Sequence, residues 1–232
     1  MPETTHKLAA IVFTDIIGFT QLSADNEPAA LKLLDTQRKI LKPIVEKHKG
    51  DWLKEIGDGL LLSFSTILEA VNCAIEIQEA VKEIDDLNLR IGIHQGEVAF
   101  RGNDVVGDDV NIASRIEPFS APGGIAISED LLKDINLKKY YSREIGYVKL
   151  KNINLPLLVH NIYLSKENYK SQSRESLIRY QKNRGINLIN IDHYQIANSQ
   201  SLGIINFKDN EDNKFSDNLS KVLINDLGKI ND

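Results

Sequence analysis

Three short stretches of this chain hold side chains that could do chemistry together. In the first, Phe13-Thr14-Asp15-Ile16-Ile17-Gly18-Phe19-Thr20, Asp15 follows directly on the apolar run from Lys7 to Phe13. That run reads as a buried strand, so Asp15 stands at the strand end. Gly18 lets the backbone approach a ligand closely. The backbone N–H groups of a helix beginning there can hold phosphate oxygens, and a carboxylate beside a phosphate site suits magnesium. In the second stretch, Lys54-Glu55-Ile56-Gly57-Asp58-Gly59, Asp58 falls at the tip of an Asp-Gly hairpin. Its carboxylate can face one on a neighbouring strand, and two such groups can bridge two metals for phosphoryl transfer. In the third, Asp104 to Arg115, Asn111 and Arg115 are four apart and share one helical face. An arginine so placed can meet charge growing on phosphate oxygens. Taken singly, each stretch also has an ordinary structural reading: a turn carboxylate, a common hairpin, a surface Arg beside an interior Asn.

The elements that must position these residues follow from periodicity. A helix is expected from Pro28 to about His48, with Leu31, Leu34, Leu41, Val45 and His48 on one face and a kink or restart at Pro43. Trp52–Ile56 and Leu60–Phe64 read as the two strands of the hairpin. A second amphipathic helix carries Ile67, Val71, Ala74, Ile75, Gln78 and Val81 on one side. Leu87 to Phe100 reads as strand, turn at Gln95-Gly96, strand. Gly107 to Glu117 reads as a helix, Ile125 to Ile127 as a short strand, and Ser128 as the N-cap of a short helix. Arg143–Lys151 and Leu157–Leu164 are expected to close a terminal hairpin. Strands and helices mix without regular βαβ alternation. The expected class is therefore α+β, a largely antiparallel sheet with helices packed on it.

Composition narrows the function classes. The chain has 232 residues, 42% hydrophobic and 26% charged, with a net charge of −5. This gives no basic footprint for nucleic acid and no polybasic membrane patch. The single cysteine, Cys73, excludes an internal disulfide framework and a cysteine-based zinc site, and suits a reducing compartment. No apolar run approaches the ~18 residues of a membrane span. The opening residues, Met1 to Lys7, lack the layout of a signal peptide. The expected location is the cytoplasm.

Together the three stretches resemble the class III nucleotidyl cyclase family, from about Lys7 to Leu164 and with every motif in order. The resemblance implies that family's ferredoxin-like core. It implies a metal site at Asp15, Ile16 and Asp58 holding two Mg2+ or Mn2+, base selection by Lys54 and Asp104, and a transition-state pair in Asn111 and Arg115. Gly18, Phe19 and Thr20 would contact substrate phosphates, as would Lys151 in the terminal Leu-Lys-Asn stretch. Arg90 to Gly96 matches a structural strand in which His94 is a core residue. Lysine only donates hydrogen bonds and ionised aspartate only accepts, which fits the N1 acceptor and N6 donor of adenine and opposes guanine. ATP is thus the expected substrate and 3′,5′-cyclic AMP the product. In this family one subunit supplies the metal residues and the other the remaining groups. The resemblance therefore implies a homodimer with two equivalent sites.

The expected catalytic domain is residues 1–165, followed by a polar linker over 166–200. From Asn183 to Asp232 there are ten Asn and three aromatics, too few apolar groups for a convincing core. Residues 201–232 resemble the opening strand and helix of TolB-like domains and end before such a domain could close a core. Three rivals share the fold. A silent ATP-binding module usually lacks one or more of the six key residues, and this chain has all six. A guanylate cyclase is opposed by Lys54 and Asp104. A cyclic-dinucleotide synthase is opposed by the Asn111/Arg115 pair.

Overall fold

In the computed structural model the described residues are 4–101, 104–133, 135, 140–150, 156–163, 165–186 and 188–189. Among them the elements run β1 (Thr4–Ile16), α1 (Phe19–Asp25), α2 (Glu27–Lys47), β2 (Asp51–Ile56), β3 (Gly59–Phe64), α3 (Ile67–Val81), β4 (Leu89–Arg101) and β5 (Asp104–Val106). Then follow α4 (Asp108–Ile116), β6 (Ile125–Ser128), β7 (Tyr141–Val148), β8 (Leu157–Tyr163), α5 (Lys166–Ser171) and α6 (Arg174–Asn183). The strands form one sheet in the order β2-β3-β1-β4-β6-β8-β7, with β5 added to β4. Its pairs are antiparallel except β4 with β6. The architecture is the expected α+β arrangement.

Alternation along β1 and β4 divides the sheet into two faces, because successive side chains point to opposite sides. Ala10, Val12 and Ile16 of β1 and Leu89, Ile91 and Ile93 of β4 join Leu60, Leu62 and Phe64 in the main core. Helices α2 and α3 cover that face. Ala9 and Ile11 point the other way, into a smaller cluster with Leu61, Val98, Val105 and Ala113 of α4. Asp15 continues the odd-numbered row, so register alone sends it to the α4 side.

Local expectations need correction in β4 and in α2. Leu89 to Arg101 is one uninterrupted strand, with no turn at Gln95-Gly96. It pairs residue for residue with β1 from Leu89↔Ile16 to Arg101↔Thr4. Helix α2 runs without a break past Pro43, and its buried residues are Ala30, Leu33, Gln37, Leu41, Ile44 and Val45. Leu31 is exposed. The face is rotated because Gln37 turns inward and donates to the Asp58 carbonyl at 3.2 Å. Ser128 ends β6, and the expected short helix follows it directly as the 3-10 segment Glu129–Lys133, with Glu129 and Asp130 in its first turn. Residues 166–183 hold α5 and α6, on which Leu177 and Gln181 are buried. Residues 201–232, the TolB-like stretch, lie outside the described residues.

Candidate active site

The end of β1 and the β2–β3 turn meet at two carboxylates. Gly57 has φ of +63°, a left-handed conformation that glycine adopts without the steric cost of a side chain. It turns the chain so that Asp58 reaches back to β1, where Asp58 Oδ2 accepts from the Ile16 N–H at 2.9 Å. The Thr14 hydroxyl accepts from the Leu60 N–H at 3.3 Å and ties the same turn to the same strand end. Burial, and then the charge of Asp15, push the Asp58 carboxyl above its ordinary range, against the pull of the Ile16 N–H. The two carboxylates therefore sit close enough to repel. A dication relieves such repulsion, and magnesium is often held by one or two carboxylates plus substrate phosphates. Among the described residues no group of three or more His, Cys, Asp or Glu could hold a metal. The Asp15–Asp58 pair thus fits a metal that shares its coordination with substrate, not a closed protein cage.

Asp15 is also held from its other side. Its Oδ2 accepts from Arg90 Nη2, and Arg90 Nε donates to Glu117 Oε1 at 2.5 Å. Register explains the first contact, since Asp15 and Arg90 are direct cross-strand partners. Glu117 follows α4 directly. Burial pushes its carboxyl up to about 7, an effect that Arg90 opposes and Asp15 reinforces. For Arg90, burial works to lower the pKa, but Glu117 and Asp15 outweigh it and raise it. The chain Asp15–Arg90–Glu117 links the carboxylate corner to the end of the helix that bears Asn111 and Arg115.

That helix is seated on one stripe of β4. Arg90, Gly92, His94 and Gly96 alternate with core residues and face α4. A Cβ on Gly92 would lie 2.3 Å from the Glu117 backbone nitrogen, and one on Gly96 would lie 2.0 Å from the Asp109 carboxyl carbon. No side chain fits at either place without moving the helix. Between them the buried His94 ring contacts Ser128 Oγ at 2.9 Å through Nδ1 and Asp109 Oδ1 at 3.3 Å through Nε2. His94 is a core residue, as expected. It clamps the first turn of α4 to β4 and β6.

Of the expected site residues, the structure brings Asp15, Ile16 and Asp58 into one corner. Gly18, Phe19 and Thr20 lie beside it, with Phe19 opening α1. Asn111 is exposed and its Nδ2 donates to the Gly107 carbonyl at 3.3 Å. Arg115 lies one turn further along α4. Lys54 is an exposed residue of β2, and Asp104 opens β5 by pairing with Arg101. Their neighbours Leu53 and Val105 pack in the same apolar cluster, on the face of the sheet that α4 covers. Lys151 lies outside the described residues. The sequence reading treated Arg90 as part of a structural strand and did not single out Glu117. A signal for Arg90 was present in Arg-Ile-Gly-Ile-His-Gln-Gly, where a charge, two glycines and a histidine occupy the face opposite the isoleucines.

A largely antiparallel α+β sheet with paired carboxylates at a strand end and a hairpin tip is the arrangement expected of a nucleotidyl cyclase domain. The chain belongs to the adenylate and guanylate cyclase catalytic domain family, whose model matches residues 1–164. It is 29% identical over 237 residues to putative adenylate cyclase 3 of Rhizobium meliloti, covering 97% of this chain and 38% of that protein. It resembles the solved adenylate/guanylate cyclase/hydrolase from Silicibacter pomeroyi at 30% identity and a TM-score of 0.62, covering 68% of this chain and 98% of the other. The adenylyl cyclase CyaB from P. aeruginosa matches at 28% identity and a TM-score of 0.62, covering 71% and 97% respectively. The chain thus spans well under half the length of the Rhizobium relative. Among the described residues no helix is long and apolar enough to cross a membrane.

Proposed function

We propose that this chain is an adenylate cyclase that converts ATP to 3′,5′-cyclic AMP and pyrophosphate as a homodimer. The observation that carries the reading is the Asp15–Asp58 corner, where an N–H bond and a cross-strand arginine hold two mutually repelling carboxylates in place. Asp15 and Asp58, with Ile16 beside Asp15 at the end of β1, would hold two Mg2+ or Mn2+. Bound there, such ions supply Lewis-acid activation of the ribose 3′-hydroxyl and neutralise charge on the triphosphate.

The remaining steps belong to side chains. Lys54 donates to adenine N1 and Asp104 accepts from the exocyclic N6 amine. Gly18, Phe19 and Thr20 border the triphosphate, and Lys151 is assigned to it as well. The 3′-hydroxyl oxygen attacks the α-phosphorus, a new P–O bond closes the ring, and the bond to the β-phosphate oxygen breaks. Arg115 meets the charge that grows on the phosphate oxygens, and Asn111 orients the ribose. Arg90, anchored by Glu117, keeps the Asp15 carboxylate from rotating away. Metal groups come from one subunit, and Lys54, Asp104, Asn111 and Arg115 from the other. The proposed catalytic domain, residues 1–165, contains all of these residues. The proposed linker, 166–200, and the segment 201–232 contain none.

The test is direct. Purified chain is incubated with ATP or GTP and with magnesium or manganese, and products are resolved by chromatography. Cyclic AMP from ATP, with GTP turned over at least ~100-fold less efficiently, is the expected result for a site with a mismatched hydrogen-bond pair. Cyclic GMP from GTP in comparable yield would assign a guanylate cyclase, and nucleotide binding without turnover would assign a silent module. Subunit sharing is tested by mixing Asp15→Ala and Arg115→Ala proteins, each inactive alone. Random exchange makes about half the dimers mixed, each with one intact site, so about a quarter of wild-type activity should return.

A further inference from the structure

The family match ends at residue 164, yet the chain beyond it returns to the helix that bears Asn111 and Arg115. Helix α6, Arg174–Asn183, is polar along most of its length, and its two buried residues are Leu177 and Gln181. They are four apart and so share one face. Leu177 packs with Ala121 and Tyr163. Gln181 is fully buried, and its Nε2 donates to the Phe119 carbonyl at 2.7 Å. Just past the helix, Arg184 Nη1 donates to the Pro118 carbonyl. Ile186 and Leu188 then pack against the cluster that holds Ile112, Ile116 and Phe119. The Ile189 N–H closes the run on the Tyr147 carbonyl at 2.9 Å. Strand β7 makes room for it, since a Cβ on Gly146 would lie 3.2 Å from Leu188 Cδ1.

These contacts converge on one place. Glu117–Phe119 is a short 3-10 turn that continues α4 directly. Ile112 and Ile116 each follow one of the proposed catalytic pair, Asn111 and Arg115. The last carbonyls of a helix have no partner within it. The Gln181 carboxamide and the Arg184 guanidinium supply partners to the turn beyond α4, and the cation also suits the negative end of the helix dipole. The same turn begins with Glu117, whose carboxylate anchors Arg90 against Asp15. Burial raises the Glu117 carboxyl to about 7, and the Arg184 charge joins that of Arg90 in opposing the rise. Apolar contact alone would cover this turn without fixing it. Hydrogen bonds to two successive carbonyls constrain both distance and direction.

We infer that residues 174–189 form a strap that positions α4, with Gln181 and Arg184 as positioning residues for the reaction. They act through the 117–119 turn, which sets the end of α4 just past Arg115 and carries the Glu117 anchor of Arg90. The part in catalysis rests on the cyclase reading, while the seating of α4 does not. Arg115 is assigned to charge that grows in the transition state. Loosening its helix should therefore lower kcat and leave KM nearly unchanged.

The test uses the full chain, with Gln181→Leu and Arg184→Gln as loosened variants and Arg184→Lys as the conservative one. Hydrogen exchange is followed by NMR on the backbone amides from Ala113 to Glu117, with no nucleotide or metal added. The Glu117 N–H bonds to the Ala113 carbonyl and so reports the end of the helix. These amides should exchange at least ~5-fold faster in both loosened variants, with the amides of α3 unchanged. With the nucleotide that the wild type turns over, kcat should fall ~10-fold while KM moves by less than ~3-fold. Arg184→Lys keeps a cationic donor and should hold at least about half of the wild-type rate. Ile77→Ala, in the buried face of α3, is the stability control. It should lower the urea midpoint and keep kcat once activity is normalised to folded protein. Should Gln181→Leu not fold, Arg184→Gln carries both readouts. Unchanged exchange at the end of α4 overturns the strap, whatever the turnover. Faster exchange with kcat unchanged overturns the positioning role, as does an equal fall of kcat in Ile77→Ala. A wild-type chain without turnover would sink the cyclase reading and leave exchange to decide the seating of α4.

Discussion

The two faces of the central sheet are built on different terms. Under α2 and α3 the rows from β1, β3 and β4 are almost wholly aliphatic, and burial alone orders them. Under α4 the row on β4 is Arg90, Gly92, His94 and Gly96, and on β1 it ends in Asp15. There the helix is placed by contacts that tolerate little change: two glycines with no room for a methyl group, a histidine between a hydroxyl and a carboxylate, and an arginine between two carboxylates. The first face supplies cohesion and the second supplies position. Lesions on the two faces should therefore separate stability from catalysis.

The largest expected effect is on catalysis alone. Asp58→Ala should reduce cyclic nucleotide formation by about 10³-fold or more while leaving the urea midpoint near that of wild type, because it removes a proposed metal ligand and relieves a repulsion. Turnover within tenfold of wild type would break the two-metal reading. Ile93→Ala is the opposite case. It should cost about 3 kcal/mol of stability through lost burial and a cavity. The folded fraction should keep its specific activity, measured after normalising to native protein by circular dichroism.

Gly96→Ala tests whether the α4 seat positions or merely packs. The added methyl must displace Asp109 and with it the first turn of α4. The expected stability cost is about 1–3 kcal/mol, with a fall in kcal/mol-equivalent kcat that exceeds it. Equal losses in both would reduce the α4 face to ordinary packing. Lys54→Glu should lower kcat/KM for ATP by about 100-fold, since a carboxylate then faces the N1 lone pair, and unchanged ATP kinetics would remove the recognition argument.

The smallest effect is a pH slope. The Glu117 carboxyl lies at about 7 in the fold, against 4.5 in an unfolded chain. Between those values the unfolded chain holds fewer protons than the folded one, so stability falls as pH rises from 4.5 to about 7. The full span amounts to at most about 3 kcal/mol. Glu117→Gln should flatten that slope in urea titrations across the window. An identical slope in the variant would place the titrating group elsewhere.

Much of the site was legible before the fold was known, because its signals are local. An Asp after an apolar run, an Asp-Gly turn and an i, i+4 polar pair need only neighbouring residues to be read. Where the sequence misled, a distant partner had intervened. Gln95-Gly96 looked like a turn because glycine after a polar residue often makes one. The strand runs straight through because thirteen consecutive β1 partners hold it, and Gly96 is there to admit Asp109. The buried face of α2 was misplaced by one residue because no local rule turns Gln37 inward toward the Asp58 carbonyl.

The sequence by itself determined the family, through the order of its motifs from about Lys7 to Leu164, and the alternation that divides the sheet. Both are properties of residue type and order along the chain. The tertiary structure decided what those residues touch. Only the β1–β4 register sets Arg90 across from Asp15, and only the close seating of α4 brings Glu117 to Arg90. Hydrogen bonds and ion pairs are made at angstrom range between groups far apart in sequence. Their choice of partner is therefore fixed by the fold as a whole and is not written in any short stretch of chain.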